Sequence, residues 1–177
     1  MSGRVTIQGH GAAALLQRVR ALSGGRKVRV GILADKPKDA VKGSTSKKAR
    51  IQRKVAAKSG STKTLLEIAV IHEFGAGHVP ARSFIRATMD ERAADIQKLQ
   101  IAVARQVLAG ALTPEQGLSQ IGAKVAAWVQ ARIVAGIAPP LAESTRRRKR
   151  RLSGKGKDTP LILTGQLKSS VTFAVVA

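Results

Sequence analysis

Residues Ile71 to Glu91 read IHEFGAGHVPARSFIRATMDE. The stretch sets two histidines and a glutamate around two glycines, then a proline, then arginines that continue to Arg92. It can be a metal site, a phosphate loop, or a corner between helices. The corner accounts for most of its residues. Upstream, Thr64-x-x-Glu67 has the form of a capping box, in which a hydroxyl and a carboxylate satisfy the free amides of a helix start. Leu65, Ile68, Ala69 and His72 then share one helical face. Gly75 offers the left-handed conformation that stops a helix, and Val79, preceding Pro80, is biased to extended backbone. From Arg82 to Ala109, the residues Ile85, Met89, Ile96, Leu99, Val103 and Val107 recur at helical spacing and predict one long helix.

The two chemical readings of the corner fail on spacing. A zinc helix needs histidines at i and i+4 so that both reach one ion. Here His78 follows His72 by six positions, across two glycines, and His10 is far off in sequence. A dinucleotide loop needs G-x-G-x-x-G, and position 80 is Pro80. Gly60-Ser61-Thr62-Lys63-Thr64 lacks both the upstream glycine and the adjacent Gly-Lys of a P-loop. The chain has ten acidic residues, most at helix starts or among basic residues, and no G-x-S-x-G elbow. The expectation is a protein without catalytic residues, metal or cofactor.

Outward from the corner, Gly110 breaks the long helix, and Thr113-Pro114-Glu115-Gln116 restarts with a cap, a proline at the first helical position and a Gln at the third. The second helix is expected to reach Ile137, with Leu118, Ile121, Val125, Trp128, Val129, Ile133 and Ile137 inward and Pro139-Pro140 as its stop. A short turn between two long helices predicts an antiparallel pair. Toward the N-terminus, Arg4 to Gln8 reads as a short edge strand. Ala12 to Leu22 reads as a helix with Leu15, Leu16, Val19 and Leu22 on one face. Lys27 to Ala34 alternates as a strand. Gln166 to Ser170 reads as a helical turn, and Val171 to Val176 as a final strand that pairs with Val28 to Leu33. The fold class is α+β: a small mixed or antiparallel sheet packed by two long antiparallel helices, with long basic loops, in a single domain over 1–177.

Composition restricts the partners. The 177 residues are 44% hydrophobic but only 2% aromatic, so the core must be aliphatic around Phe74, Phe84, Phe173 and Trp128. There is no cysteine, which excludes disulfides and thiolate chemistry. No apolar run approaches the roughly 20 residues of a membrane span, and MSGRVTIQGHG lacks a signal peptide's apolar core. The reading is a product made in a cytosol, with no membrane partner. A net charge of +22 calls for a polyanion or acidic protein surfaces. The charge concentrates in a basic loop insert, 35–63, and a basic segment, 141–158. Candidate contacts to phosphate or acidic partners are Lys47, Lys48, Arg50, Arg53 and Lys54 in the first. In the second they are Arg146, Arg147, Arg148, Lys149, Arg150 and Arg151. With no tyrosine and one tryptophan, base stacking is unavailable, so any nucleic-acid contact is to the backbone.

Two motifs carry a resemblance. The first is Ile68 to Gly75 (IAVIHEFG), a glycine turn, then His78 to Arg86 (HVPARSFIR) opening a long helix. The second is Pro160 to Ser170 (PLILTGQLKSS) before the last strand. Together they resemble the tail-completion and neck proteins of tailed phages: the lambda minor tail protein Z type, the lambda-like tail components and the Mu-like virion morphogenesis proteins. The resemblance covers Thr64 to the end. The chain departs from the usual pattern at Ala76 for Thr, Ser83 for Pro and Leu163 for Asp. Ser83 is expected to weaken the start of the long helix and Leu163 to remove a turn-capping carboxylate. The insert 35–63 is longer than the family pattern.

The resemblance implies a structural virion protein of the neck. Its subunits would form a sixfold homo-oligomeric ring that completes or terminates the tail and joins it to the head connector, with genomic DNA passing through the lumen. Its partners would be the connector or adaptor and the tail tube or terminator proteins, and it would assemble in the host cytoplasm. Candidate interface residues are Glu73, Phe74, Gly75, Pro80, Arg82, Phe84 and Arg86, with Arg82 and Arg86 available for carboxylates. The plainer alternative is that this corner closes only the chain's own core. The competing function is a basic, sequence-nonspecific nucleic-acid-binding protein.

Overall fold

The computed structural model describes residues 10–22, 24–33, 64–153, 159–162 and 165–176. The expected strand at Arg4 to Gln8 and the whole insert 35–63, with Lys47, Lys48, Arg50, Arg53 and Lys54, lie outside the described residues, as do Lys155, Lys157 and Leu163.

The order is α1 (His10–Leu22), β1 (Lys27–Ile32), α2 (Leu65–Phe74), α3 (Arg86–Glu91), α4 (Ala93–Ala109), α5 (Pro114–Ala135), α6 (Glu143–Ser153), α7 (Gln166–Ser170) and β2 (Val171–Val176). The fold is α+β. β1 and β2 form a two-stranded antiparallel sheet whose register runs from Lys27 opposite Val176 to Ile32 opposite Val171. The sheet lies on α5, and α4 packs beside α5. Those two helices are antiparallel: Gly117 near the start of α5 meets Val103 and Val107. Trp128 and Arg132 further along α5 meet Arg92 and Glu91 before the start of α4.

α5 organises both parts of the core. Val129 and Ile133 are fully buried with Phe84, beside Ala69, Ala126, Leu167 and Val171. Ile121 and Val125 pack with Val103 and Val107 of α4. The sheet approaches α5 at Gly122, where an added Cβ would stand 2.6 Å from Phe173 and 2.7 Å from Val28. The helix can lie against two strands there only because that position has no side chain.

Four expectations are corrected. The single helix from Arg82 is two: α3 begins at Arg86, and Arg92, at φ −103° and ψ 11°, breaks the run before α4. α5 ends at Ala135 because Gly136 adopts φ 90° and ψ 144°, ahead of Pro139-Pro140. Gly75 stops α2 with a positive φ of 79°, but its ψ of 151° is extended, not left-handed helical. The segment 141–158 is not a loop throughout, since 143–153 is the helix α6. Both capping boxes form, at Thr64 with Glu67 and at Thr113 with Gln116.

Candidate functional site

The corner between α2 and α3 is organised by one carboxylate. A helix start leaves its first amides without partners, and the backbone before α3 supplies no side-chain cap at its own N-cap residue, Ile85. Glu73, one residue before the end of α2 and 5% exposed, fills that need from across the corner. Its Oε2 accepts from the amides of Phe84 (2.8 Å) and Ile85 (3.0 Å). Its Oε1 accepts from the Ser83 hydroxyl (2.6 Å), the Arg86 amide (2.9 Å) and Arg86 Nε (3.4 Å). Burial alone would raise the pKa of Glu73. The hydrogen bonds from Ser83 and from the amides of Arg86, Ile85 and Phe84 outweigh it and hold the carboxyl below its ordinary value.

Ser83, expected to weaken the helix start, does the opposite. Its hydroxyl donates to Glu73 and accepts from the Ala87 amide (3.1 Å), so it strengthens the helix start, which a proline ring cannot do. The loop between α2 and Pro80 is a tight hairpin, with Ala76 and Val79 exchanging both backbone bonds. The Arg82 amide closes it onto the His72 carbonyl at 2.6 Å. Gly75 is obligatory at this point, because a Cβ there would meet the Ala81 nitrogen at 2.9 Å.

Arg82 is corrected as a partner contact. It is buried and donates through Nε to the Pro139 carbonyl (2.8 Å) and through Nη2 to that of Pro140 (3.2 Å). It therefore pins the corner to the segment after α5 and does not stand available for a foreign carboxylate. Phe84 is wholly buried, and Glu73 is occupied as described. Of the seven candidate interface residues, Phe74 and Pro80 lie exposed. Arg86 has just over half its side chain exposed and stacks 4.3 Å over the Phe74 ring. Gly75 is partly covered.

The two histidines of the corner are separated. His78 is exposed in the hairpin, whereas His72 is half-buried with an unpartnered Nδ1. Burial, and then the nearby charges of Arg82 and Lys149, lower the His72 pKa and keep it neutral. Among the described residues no three His, Asp or Glu side chains group to hold a metal. No described helix is long and apolar enough to cross a membrane.

Basic segment 141–158 divides by face. Lys149 is buried and donates from Nζ to the carbonyls of Thr159 (2.6 Å) and Ile162 (2.7 Å). Those bonds clamp the turn in which Leu161 takes a φ of 64°, a conformation costing roughly 1 kcal/mol. Lys149 is thus a structural tie and not a phosphate contact, because its amine is occupied in the interior. Arg146 is half-buried with Glu143 at 3.8 Å. Arg147, Arg148, Arg150 and Arg151 face outward.

What sequence reasoning passed over is the pair of apolar helix faces left open. On α1, Leu15, Leu16, Val19 and Leu22 are each 41–46% exposed, although Arg18 fastens the helix to the Leu108 carbonyl at 3.1 Å. On α2, Leu66, Val70 and Phe74 stand one turn apart at 45%, 49% and 60% exposure, and Leu66 and Val70 line an open groove with Glu67 and Ile71. The signal was present in α2, whose sequence LLEIAVIHEF is apolar on nearly every side. A helix of that kind is covered on more than one face. Ala69 and Glu73 face the chain's own interior; Leu66, Val70 and Phe74 do not.

No family model matches this chain, no curated protein matches it in sequence, and no solved structure matches its fold.

Proposed function

We propose that the protein is a structural subunit that packs against copies of itself into a ring, in the manner of the phage neck and tail-completion proteins its two motifs resemble. The observation that carries this reading is the open apolar faces of α1 and α2 on one chain. Large apolar side chains left exposed in register along a helix fit a surface that meets another protein. The α1 stripe is bordered by Arg20, one turn after Leu16; the α2 stripe carries the capping carboxylate Glu67 at its start and Arg86 over Phe74 at its end. Setting α1 of one copy on α2 of the next can bring Arg20 to the Glu67 end, away from Arg86. Setting α1 on α1 opposes Arg20 to its own image. A contact between two different faces is heterologous, and heterologous contacts propagate into rings when the rotation closes. The rigid corner supports the same role, since Glu73 and Arg82 hold α2 at a fixed angle to the body.

In this reading the ring completes the tail and joins it to the head, in the virion, with no chemical step of its own. The test is mass by light scattering on the full chain and on Val19→Glu and Val70→Glu. The wild type should have the mass of a closed oligomer and each variant that of a monomer. An equimolar mixture of the two retains one intact pair of faces and should stop at a dimer. A wild-type chain that stays monomeric at every concentration overturns the ring. Infection without the protein should then accumulate separate heads and tails, and fully joined particles would overturn the neck assignment alone.

A further inference from the structure

We infer that the outward face of α6 is a binding rail for the phosphate backbone of duplex DNA. The run Arg146 to Arg151 holds five arginines and one lysine. The lysine is turned inward onto two carbonyls, Arg146 is half-buried, and the other four positions of the run are outward arginines. A planar guanidinium fork fits phosphate oxygens in pairs, which a single ammonium does not. Arg147, Arg148 and Arg151 lie on one face, with Arg151 a turn beyond Arg147. Glu143 stands one turn before Arg147 at the start of the face, but its ion pair is with Arg146 at 3.8 Å; among the described residues no ion pair engages Arg147, Arg148 or Arg151. Like charges a turn apart weaken a helix, and a polyanion laid along the face relieves that repulsion.

The partner is duplex backbone and not bases. No aromatic side chain stands on α6, and the single tryptophan is partly buried between Arg92 and Lys124. Stacking on single strands therefore has no platform here. The helix is held from behind by Lys149, so the three guanidinium groups are presented on a fixed element. The inference goes beyond the ring reading and stands without it.

Fluorescence anisotropy of a labelled mixed-sequence DNA duplex, titrated with the full chain at several salt concentrations, tests it. Three phosphate contacts contribute about −2.7 to the slope of log affinity against log salt, or about a 40-fold loss between about 50 and 200 mM. The triple variant Arg147→Gln, Arg148→Gln, Arg151→Gln should show a slope shallower by about that amount, with an unchanged circular dichroism spectrum. Comparison with the wild type removes the contribution of cations elsewhere in the chain. Equal slopes for the two proteins overturn the inference. So does displacement of the duplex by poly-glutamate as readily as by unlabelled duplex, which assigns the face to an acidic protein. Light scattering on the same variant separates the two proposals: a retained oligomer with the shallower slope supports both, and a monomeric wild type whose slope responds to the variant leaves the DNA rail standing alone.

Discussion

Replacing Glu73 with alanine removes the side-chain acceptor that three consecutive amides and a hydroxyl share. The Phe84 amide is buried, and those of Ile85 and Arg86 are partly so. An unsatisfied buried donor costs about 1–3 kcal/mol, and the lost charge at the start of α3 adds about 0.5–1 kcal/mol. The variant should therefore lose about 3–5 kcal/mol, allowing for partial access of water to two of the amides. At roughly 2–4 °C per kcal/mol for a chain of this size, the Tm should fall by about 6–20 °C. Glu73→Gln keeps the shape but turns an NH2 group toward donors, so it should be nearly as damaging. The assay is denaturant and thermal unfolding followed by circular dichroism. The pH dependence has a defined sign. The folded-state pKa of Glu73 is depressed, so its contribution is fully present above the unfolded value and is lost as pH falls through the folded one. Stability should drop in acid below the ordinary glutamate range, and less steeply in Glu73→Gln. A loss under about 1 kcal/mol, or an acid profile identical in wild type and Glu73→Gln, would refute the assignment of Glu73 as the cap of α3.

Two further outcomes follow from packing and charge. Gly122→Ala places a methyl within 2.6 Å of Phe173 and 2.7 Å of Val28, so it should cost about 1–3 kcal/mol in denaturant unfolding, while the exposed Ala127→Ser should change little. His72 is held neutral, with a folded pKa below its unfolded value. Stability should therefore be constant above the ordinary histidine range and decline as pH drops below it, a decline that His72→Phe should remove.

The capping boxes at Thr64 and Thr113, the alternating strand at Lys27 to Ile32 and the breaks at Gly75 and Gly110 were legible in the sequence. Each is made by residues within about four positions of one another, so local backbone chemistry decides it. The pairing of β1 with β2 followed from one alternating and one apolar strand; the other expected strand, Arg4 to Gln8, lies outside the described residues. The destination of the charged side chains was not legible. Glu73 finds its amides 11 to 13 positions on, Arg82 its carbonyls 57 and 58 on, and Arg18 its carbonyl 90 on. A string of letters shows Arg82 and Lys149 as surface cations, because nothing nearby in sequence distinguishes them from Arg86 or Arg148. Only when the helices pack do free carbonyls at Pro139, Pro140, Thr159 and Ile162 surround them, and burying those groups unpaired would cost more than drawing in a cation. Sequence alone determined an aliphatic, cysteine-free, strongly cationic α+β chain with a helix corner at Gly75 to Pro80. Tertiary structure decided which charges became internal ties, which arginines face outward, and that the apolar sides of α1 and α2 stand open. Burial is a property of neighbours in space, which spacing along the chain does not specify.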